Sequence, residues 1–171
     1  MSVYKKYLVN IINYDFLNKF NFKYISDIPF LTNVVLKFDF KNYDYNLLIR
    51  CLLILNIITG KRCCIIKSKK SSVVLKIKKG LPVGCKVSLK NKKALNFLFF
   101  LINNKKFSNK DYKIVKNKKY SANLIIFNVL NILRLQNNYH FFKNVNNLNI
   151  NIVTTANNYE EFKYLLNSYK F

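Results

Sequence analysis

A chain that reads Val-Gly-Cys-Lys-Val-Ser-Leu-Lys over residues 83–90 has little choice but to form a strand with one apolar and one cationic side. Val83, Cys85, Val87 and Leu89 fall on one face and Gly84, Lys86, Ser88 and Lys90 on the other, the period of two that a half-buried strand requires. Leu75 and Ile77 oppose Lys76 and Lys78 in the same manner, so residues 59–93 read as a strand pair joined through a turn at Lys79-Gly80-Leu81-Pro82. All three glycines (Gly60, Gly80, Gly84) lie in this stretch with twelve Lys or Arg and no Asp or Glu. A sheet face carrying only ammonium groups repels itself unless a polyanion covers it.

The rest of the chain sharpens that electrostatic demand. The formal charge is +23 over 171 residues, and no acid occurs between Asp44 and Asp111, an interval that holds 16 of the 30 basic groups. Such an imbalance implies a standing anionic partner, nucleic acid or an acidic membrane surface. Hydrophobic residues make up 51%, enough to build a core in one domain spanning 1–171 and to exclude disorder. Lysine outnumbers arginine 27 to 3 and asparagine reaches 27, a bias toward A/T-rich codons that makes many individual lysines incidental.

Read in order, Tyr4, Leu8, Ile11, Ile12, Phe16 and Phe20 recur at helical spacing, and Ile28-Pro29 ends that region. Leu31 to Lys41 alternates: Val34, Leu36, Phe38 and Phe40 against Val35, Lys37, Asp39 and Lys41. Residues 43–58 are apolar nearly all round and predict a buried helix capped by Gly60. Cys63 to Lys70 predicts a short strand running into a cationic turn, and Lys92 to Ile102 a helix packing Phe97, Leu98, Leu101 and Ile102 inward. Residues 103–121, polar and lysine-rich, predict a long surface loop. Ala122 to Leu130 and Leu148 to Thr155 predict further strands, and a last helix starts near Asn157, where Asn157-x-x-Glu160 has the form of a capping box. The expected architecture is α+β: a largely antiparallel twisted sheet, helices packed on one face, and a protruding basic loop.

Catalysis finds little to work with. Glu160 and Glu161 are adjacent, but in a first helical turn they complement the helix dipole. His140 stands alone, and the four cysteines (Cys51, Cys63, Cys64, Cys85) show no metal-ligand spacing, which reads as buried reduced thiols in a reducing compartment. No Gly-rich phosphate loop is present. The expectation is a protein that is not an enzyme and holds no cofactor and no metal. The longest apolar run, Leu47 to Ile58, is too short to cross a bilayer, and no signal-peptide core or imported leader is evident at the N-terminus. A peripheral membrane or scaffold protein on acidic lipid is the alternative, but it calls for a basic amphipathic helix, whereas this charge sits on strands and turns. A broad cationic sheet suits RNA, with its shallow minor groove and phosphates.

Three segments carry a family resemblance: Ile58-Thr-Gly-Lys, then Lys67-x-Lys-Lys-Ser71, then Lys76-Ile-Lys-Lys-Gly80-x-Pro-x-Gly-Cys-Lys-Val-Ser-Leu-Lys90. In order and spacing, ungapped from about residue 52 to 102, they resemble the large-subunit ribosomal protein five family, the 5S-rRNA-binding proteins of the central protuberance. Tyr4 to Phe20 is similar to the family's first helix, Lys110-Asp-Tyr-Lys113 to its R-D-F-R motif, and Leu148 to Ala156 with the helix behind it to its closing strand and helix.

The resemblance implies a structural constituent of the large ribosomal subunit. Family positions that face 5S rRNA fall on Lys37, Lys61, Ser88 and Lys90, three of which replace Asn, Gln and Arg by lysine and so exchange directional hydrogen bonding for point charge. With the neighbouring cations, the expected rRNA-binding set is Lys37, Lys61, Arg62, Lys67, Lys69, Lys70, Lys86, Ser88 and Lys90. The turn from Ser72 to Gly80 matches a family loop that touches the P-site tRNA elbow, with Ser72, Lys76, Lys78, Lys79 and Gly80 as its expected contact residues. Implied partners are 5S or other large-subunit rRNA, P-site tRNA and neighbouring ribosomal proteins, including the small-subunit head, with no membrane. Full-length similarity without a leader, together with the codon bias, points to translation where the protein works: a mitochondrion first, its ribosome in the matrix, and a plastid second.

Overall fold

The computed structural model describes residues 7–22, 24–40, 44–74, 77–104, 112–116, 120–126, 142, 145 and 147–169. A π-helical stretch, Leu8–Ile12, runs into α1 (Asn13–Lys19), and a single 3-10 turn, Ile25–Asp27, precedes β1 (Leu31–Asp39). Then follow α2 (Tyr45–Thr59), β2 (Cys64–Lys67), β3 (Pro82–Lys90), α3 (Asn91–Asn104), β4 (Tyr112–Lys116), β5 (Tyr120–Ile126), β6 (Leu148–Thr154) and α4 (Tyr159–Ser168). The fold is α+β, and the strands form one six-stranded sheet in the order β2-β3-β1-β6-β5-β4. β2 and β3 pair antiparallel. β1 and β6 also run in opposite directions: Phe30 bonds Thr155 at one end, and Asp39 meets Asn149 at the other.

The chain forms two compact units. One comprises the described parts of 34–89 and 123–151. Its interior is set by strand alternation: Val34, Leu36 and Phe38 of β1, Cys85, Val87 and Leu89 of β3, Leu124 and Ile126 of β5, and Leu148 and Ile150 of β6 are all buried. Each of the larger of these side chains contributes roughly 1.5–3 kcal/mol by leaving water. α2 adds Leu48, Cys51, Ile54 and Leu55. Its ends follow from two residues. The Asp44 carboxylate accepts the Asn46 N–H at 3.0 Å, and Gly60 adopts a left-handed φ of 56° while its N–H reaches the Asn56 carbonyl at 2.8 Å.

α2 is not buried all round as its composition suggests. Tyr45, Ile49, Leu53 and Ile57, four residues apart, form an exposed stripe. The pairing in 59–93 differs as well. The partner of β3 is Cys64–Lys67, whereas residues 72–77 form a bridge between Ser72 and Ile77 and no strand. Leu75 and Lys76 lie outside the described residues.

The second unit comprises the described parts of 1–33, 90–122 and 152–171. Phe16 of α1 is fully enclosed and meets Tyr164 of α4 edge-on at 5.0 Å, and the Lys19 ammonium lies 4.1 Å from the centre of the same tyrosine ring. Ile12 is buried, but Ile11 faces solvent, because the π turn shifts the register that simple helical spacing predicts. α3 buries Ala94, Phe97, Leu98 and Leu101. It starts directly after β3 because Asn91 adopts a φ of 51°, a conformation asparagine tolerates better than most residues.

Tyr120 stacks on Phe162 at 5.8 Å, and the buried Thr154 hydroxyl donates to the Tyr120 carbonyl at 3.0 Å. The stretch 103–121, expected as loop, therefore contains β4 and the start of β5. α4 is capped one residue later than expected. Asn158 is the cap, and its amide donates to the Glu161 carboxylate at 2.8 Å in place of an Asn157–Glu160 box. The residues 127–130 that extend the predicted fourth strand, His140, Tyr4, Lys41, Lys110 and Asp111 lie outside the described residues.

Candidate nucleic-acid interface

The interface grows from the register of β2 on β3. Cys64 pairs with Lys86, Ile65 with Cys85, Ile66 with Gly84 and Lys67 with Pro82, so one extra residue is accommodated between Ile66 and Lys67. Such a bulge bends a strand and re-aims its side chains. Val83 is the residue passed over in that pairing, and its carbonyl accepts the Phe40 N–H at 2.9 Å. Gly84 is buried because any β-carbon there would strike the Phe38 carbonyl oxygen of β1. Glycine thus lets β1 lie close against β3. Beyond it the alternation is clean: Cys85, Val87 and Leu89 inward, Lys86, Ser88 and Lys90 exposed.

Lys61 and Arg62 precede β2 and are exposed. The Lys61 ammonium donates to the Ser88 carbonyl at 2.8 Å, so two positions 27 residues apart, both expected in the interface, are brought together. Lys67 closes β2, and Lys69 and Lys70 follow it, all three exposed. Lys86 has no partner among the described residues. Lys37 is different. It lies 3.5 Å from Asp39, whose carboxylate also accepts from the Asn149 amide at 2.9 Å.

Lys37 also lines a concavity of about 190 Å³ with Asn123, Asn149 and Asn151. The Asn151 carbonyl oxygen is buried there with no donor. Sequence reasoning passed over these amides because asparagine is abundant everywhere in the chain. The available signal was the alternation of Asn149 and Asn151 against Leu148, Ile150 and Ile152.

The basic loop is a braced hairpin extension. At its base the Ser68 N–H bonds the Leu81 carbonyl at 2.8 Å, the Ser68 hydroxyl donates to the Lys78 carbonyl at 2.6 Å, and the Gly80 N–H reaches the Ser68 carbonyl at 3.0 Å. Gly80 makes this possible with a φ of 91°, which side chains rarely adopt. Higher up, Ser72 and Ile77 exchange both backbone hydrogen bonds, at 2.9 and 3.0 Å. Ile77 is buried, while Lys78 and Lys79 are exposed.

The thiols are inert groups in this setting. Burial, and then the proximity of Cys63, pushes the Cys85 thiol up to about 12, and burial followed by Cys64 raises Cys63 as well. A thiol so shifted stays protonated and neutral at physiological pH. Among the described residues no group of three His, Cys, Asp or Glu side chains is placed to hold a metal, and no helix is long and apolar enough to cross a membrane.

Known proteins share this combination of sheet, braced loop and cationic strand edge. Residues 82–171 match the profile of the C-terminus of the ribosomal protein uL5 family. Over its whole length the chain is similar to large ribosomal subunit protein uL5m of Reclinomonas americana, 31% identical over 99% of this chain and 97% of the relative. It is 26% identical to uL5 of Nitrosomonas europaea, covering 97% and 95%, and 30% identical to uL5 of Ehrlichia canis, covering 99% and 96%. The chain therefore belongs to the ribosomal protein uL5 family, whose members are structural, non-enzymatic constituents of the large ribosomal subunit.

Proposed function

We propose that the chain binds 5S or other large-subunit rRNA through outward strand positions and contacts P-site tRNA through its braced basic loop. The rRNA set is Lys37, Lys61, Arg62, Lys67, Lys69, Lys70, Lys86, Ser88 and Lys90; the loop set is Ser72, Lys78, Lys79 and Gly80, with Lys76 from the sequence. One observation supports this reading above others: Lys86, Ser88 and Lys90 all face outward from β3, with Lys61 fixed to Ser88, in a stretch free of acids from Asp44 to Asp111. A row of ammonium groups on a rigid strand neutralises phosphates without rearranging, and each phosphate it neutralises releases condensed counterions.

The amides of Asn123, Asn149 and Asn151 beside Lys37 offer directional donors and acceptors near that row. The mitochondrial ribosome is the proposed location, supported by the similarity to a uL5m protein, with a plastid ribosome as the second choice. Neighbouring ribosomal proteins, including those of the small-subunit head, complete the proposed partner set.

The test reverses charge at two exposed positions. Lys61→Glu with Lys90→Glu is expected to weaken binding to a 5S or domain-sized large-subunit rRNA fragment on the order of a hundredfold, with an unchanged circular dichroism spectrum. Unaltered affinity removes these lysines from the interface. Binding by the wild-type chain to anionic vesicles and not to rRNA returns the acidic-lipid reading in its place.

A further inference from the structure

The loop between β2 and β3 ends in an apolar pair, not in a cation. Val73 is 93% exposed and Val74 92%, the two most exposed large hydrophobic side chains among the described residues. They stand directly above the Ser72–Ile77 bridge, whose two hydrogen bonds fix the base of the turn that carries them. Below that bridge lie four exposed lysines, Lys69 and Lys70 on the ascending side and Lys78 and Lys79 on the descending side. Valine codons begin with G, so the A/T-driven bias that fills the chain with Lys, Asn and Ile does not account for the pair.

We propose that Val73 and Val74 form an apolar wedge that seats against the face of an unstacked base or an open base pair in a structured RNA. The lysines beneath grip the phosphates on either side. The proposal rests on the loop's reading as a tRNA-contacting element and changes what the tip does. Lysine at the tip would bind any phosphate. A β-branched pair has no attraction for phosphate, but it packs on the π-face of a base, which stacked or fully paired helices do not offer along their length. Apolar side chains inserted at base steps are an established way for proteins to engage nucleic acid, and contact with a base face is tolerant of its sequence. The charge around the tip selects this occupant over an apolar protein groove, because four lysines close by demand a polyanion that itself presents apolar faces. Bracing matters too. A tip held by the backbone bonds at Ser72, Ile77, Ser68 and Gly80 loses little freedom on docking.

Salt separates the wedge from the grip. The full chain is titrated with deacylated tRNA at roughly 50, 100 and 200 mM salt as wild type, as Val73→Ser/Val74→Ser, and as Lys78→Gln/Lys79→Gln. Both valines are almost wholly exposed, so their replacement leaves the fold intact. The valine variant is expected to bind on the order of tenfold more weakly at every salt concentration with an unchanged slope. The lysine variant is expected to lose affinity mainly at low salt and to flatten the slope by about 1.5. Wild-type binding that the valine variant reproduces at all salts overturns the wedge and leaves the tRNA reading standing. A valine variant that flattens the slope as the lysine variant does also overturns it. Absence of wild-type tRNA binding, with or without binding to vesicles containing phosphatidylserine, overturns the tRNA reading and the wedge together.

Discussion

β3 and β1 obey the same alternation yet present opposite electrostatics. On β3, Lys86 faces outward with no partner among the described residues, and Ser88 beside it anchors the Lys61 ammonium through its carbonyl. On β1, Lys37 also faces outward, but Asp39 two residues along sits on the same side at 3.5 Å, and Asn149 bonds that carboxylate. Both members of the β1 pair are about half exposed, at 43% and 52%, so the attraction is screened and worth about 1 kcal/mol or less. Its consequence for a polyanion is larger than its consequence for stability. A phosphate approaching β1 meets a cation with a built-in competitor, whereas one approaching β3 meets none. Counting lysines therefore overstates the charge a partner encounters.

The largest expected effect is salt dependence. With about 6–10 phosphate contacts, affinity for an rRNA fragment should fall on the order of a thousandfold or more between roughly 50 and 200 mM salt. Within that collapse the two strands should differ. Lys86→Gln should flatten the logarithmic slope by nearly one contact, about 0.7–0.9, and Lys37→Gln by distinctly less. Equal losses would erase the distinction between the strands.

A middling effect comes from the position that holds them together. Gly84→Ala pushes a methyl group into the Phe38 carbonyl, so β1 and β3 must separate; a loss of about 1–3 kcal/mol in urea denaturation is expected. An unshifted midpoint would mean that the two strands are not closely coupled there. The smallest effect sharpens the contrast. Asp39→Asn frees Lys37 and should raise rRNA affinity a few-fold at low salt, by roughly 1 kcal/mol or less, with the gain gone at high salt.

Local pattern made β3 legible residue by residue. Its strand bounds, inward Cys85, Val87 and Leu89, and outward Lys86, Ser88 and Lys90 all stand as the alternation predicts. The Gly60 cap was equally readable, because a glycine after an apolar helical run has few other uses. The failures share physical causes. β4 is lysine-rich and occupies one end of the sheet order, where an edge strand tolerates charge that a central one would not, so its composition mimicked a loop. In 75–78 the alternation was real enough to bury Ile77 but belonged to a loop, since periodicity reports which way side chains point and not which strand lies alongside. α2 looked apolar all round because a compositional excess of Ile and Leu reaches the surface too.

The sequence by itself determined the sidedness of each strand, the excess of cations, and membership of a ribosomal family, because side-chain alternation and charge are properties of neighbouring residues along the chain. Only the tertiary structure decided which cations are left unpaired. Lys61 reaches Ser88 across 27 residues and Asn149 reaches Asp39 across 110, distances that no local pattern spans. It also decided that the basic loop carries its valines outermost, since that depends on where the backbone closes on itself, between Ser72 and Ile77.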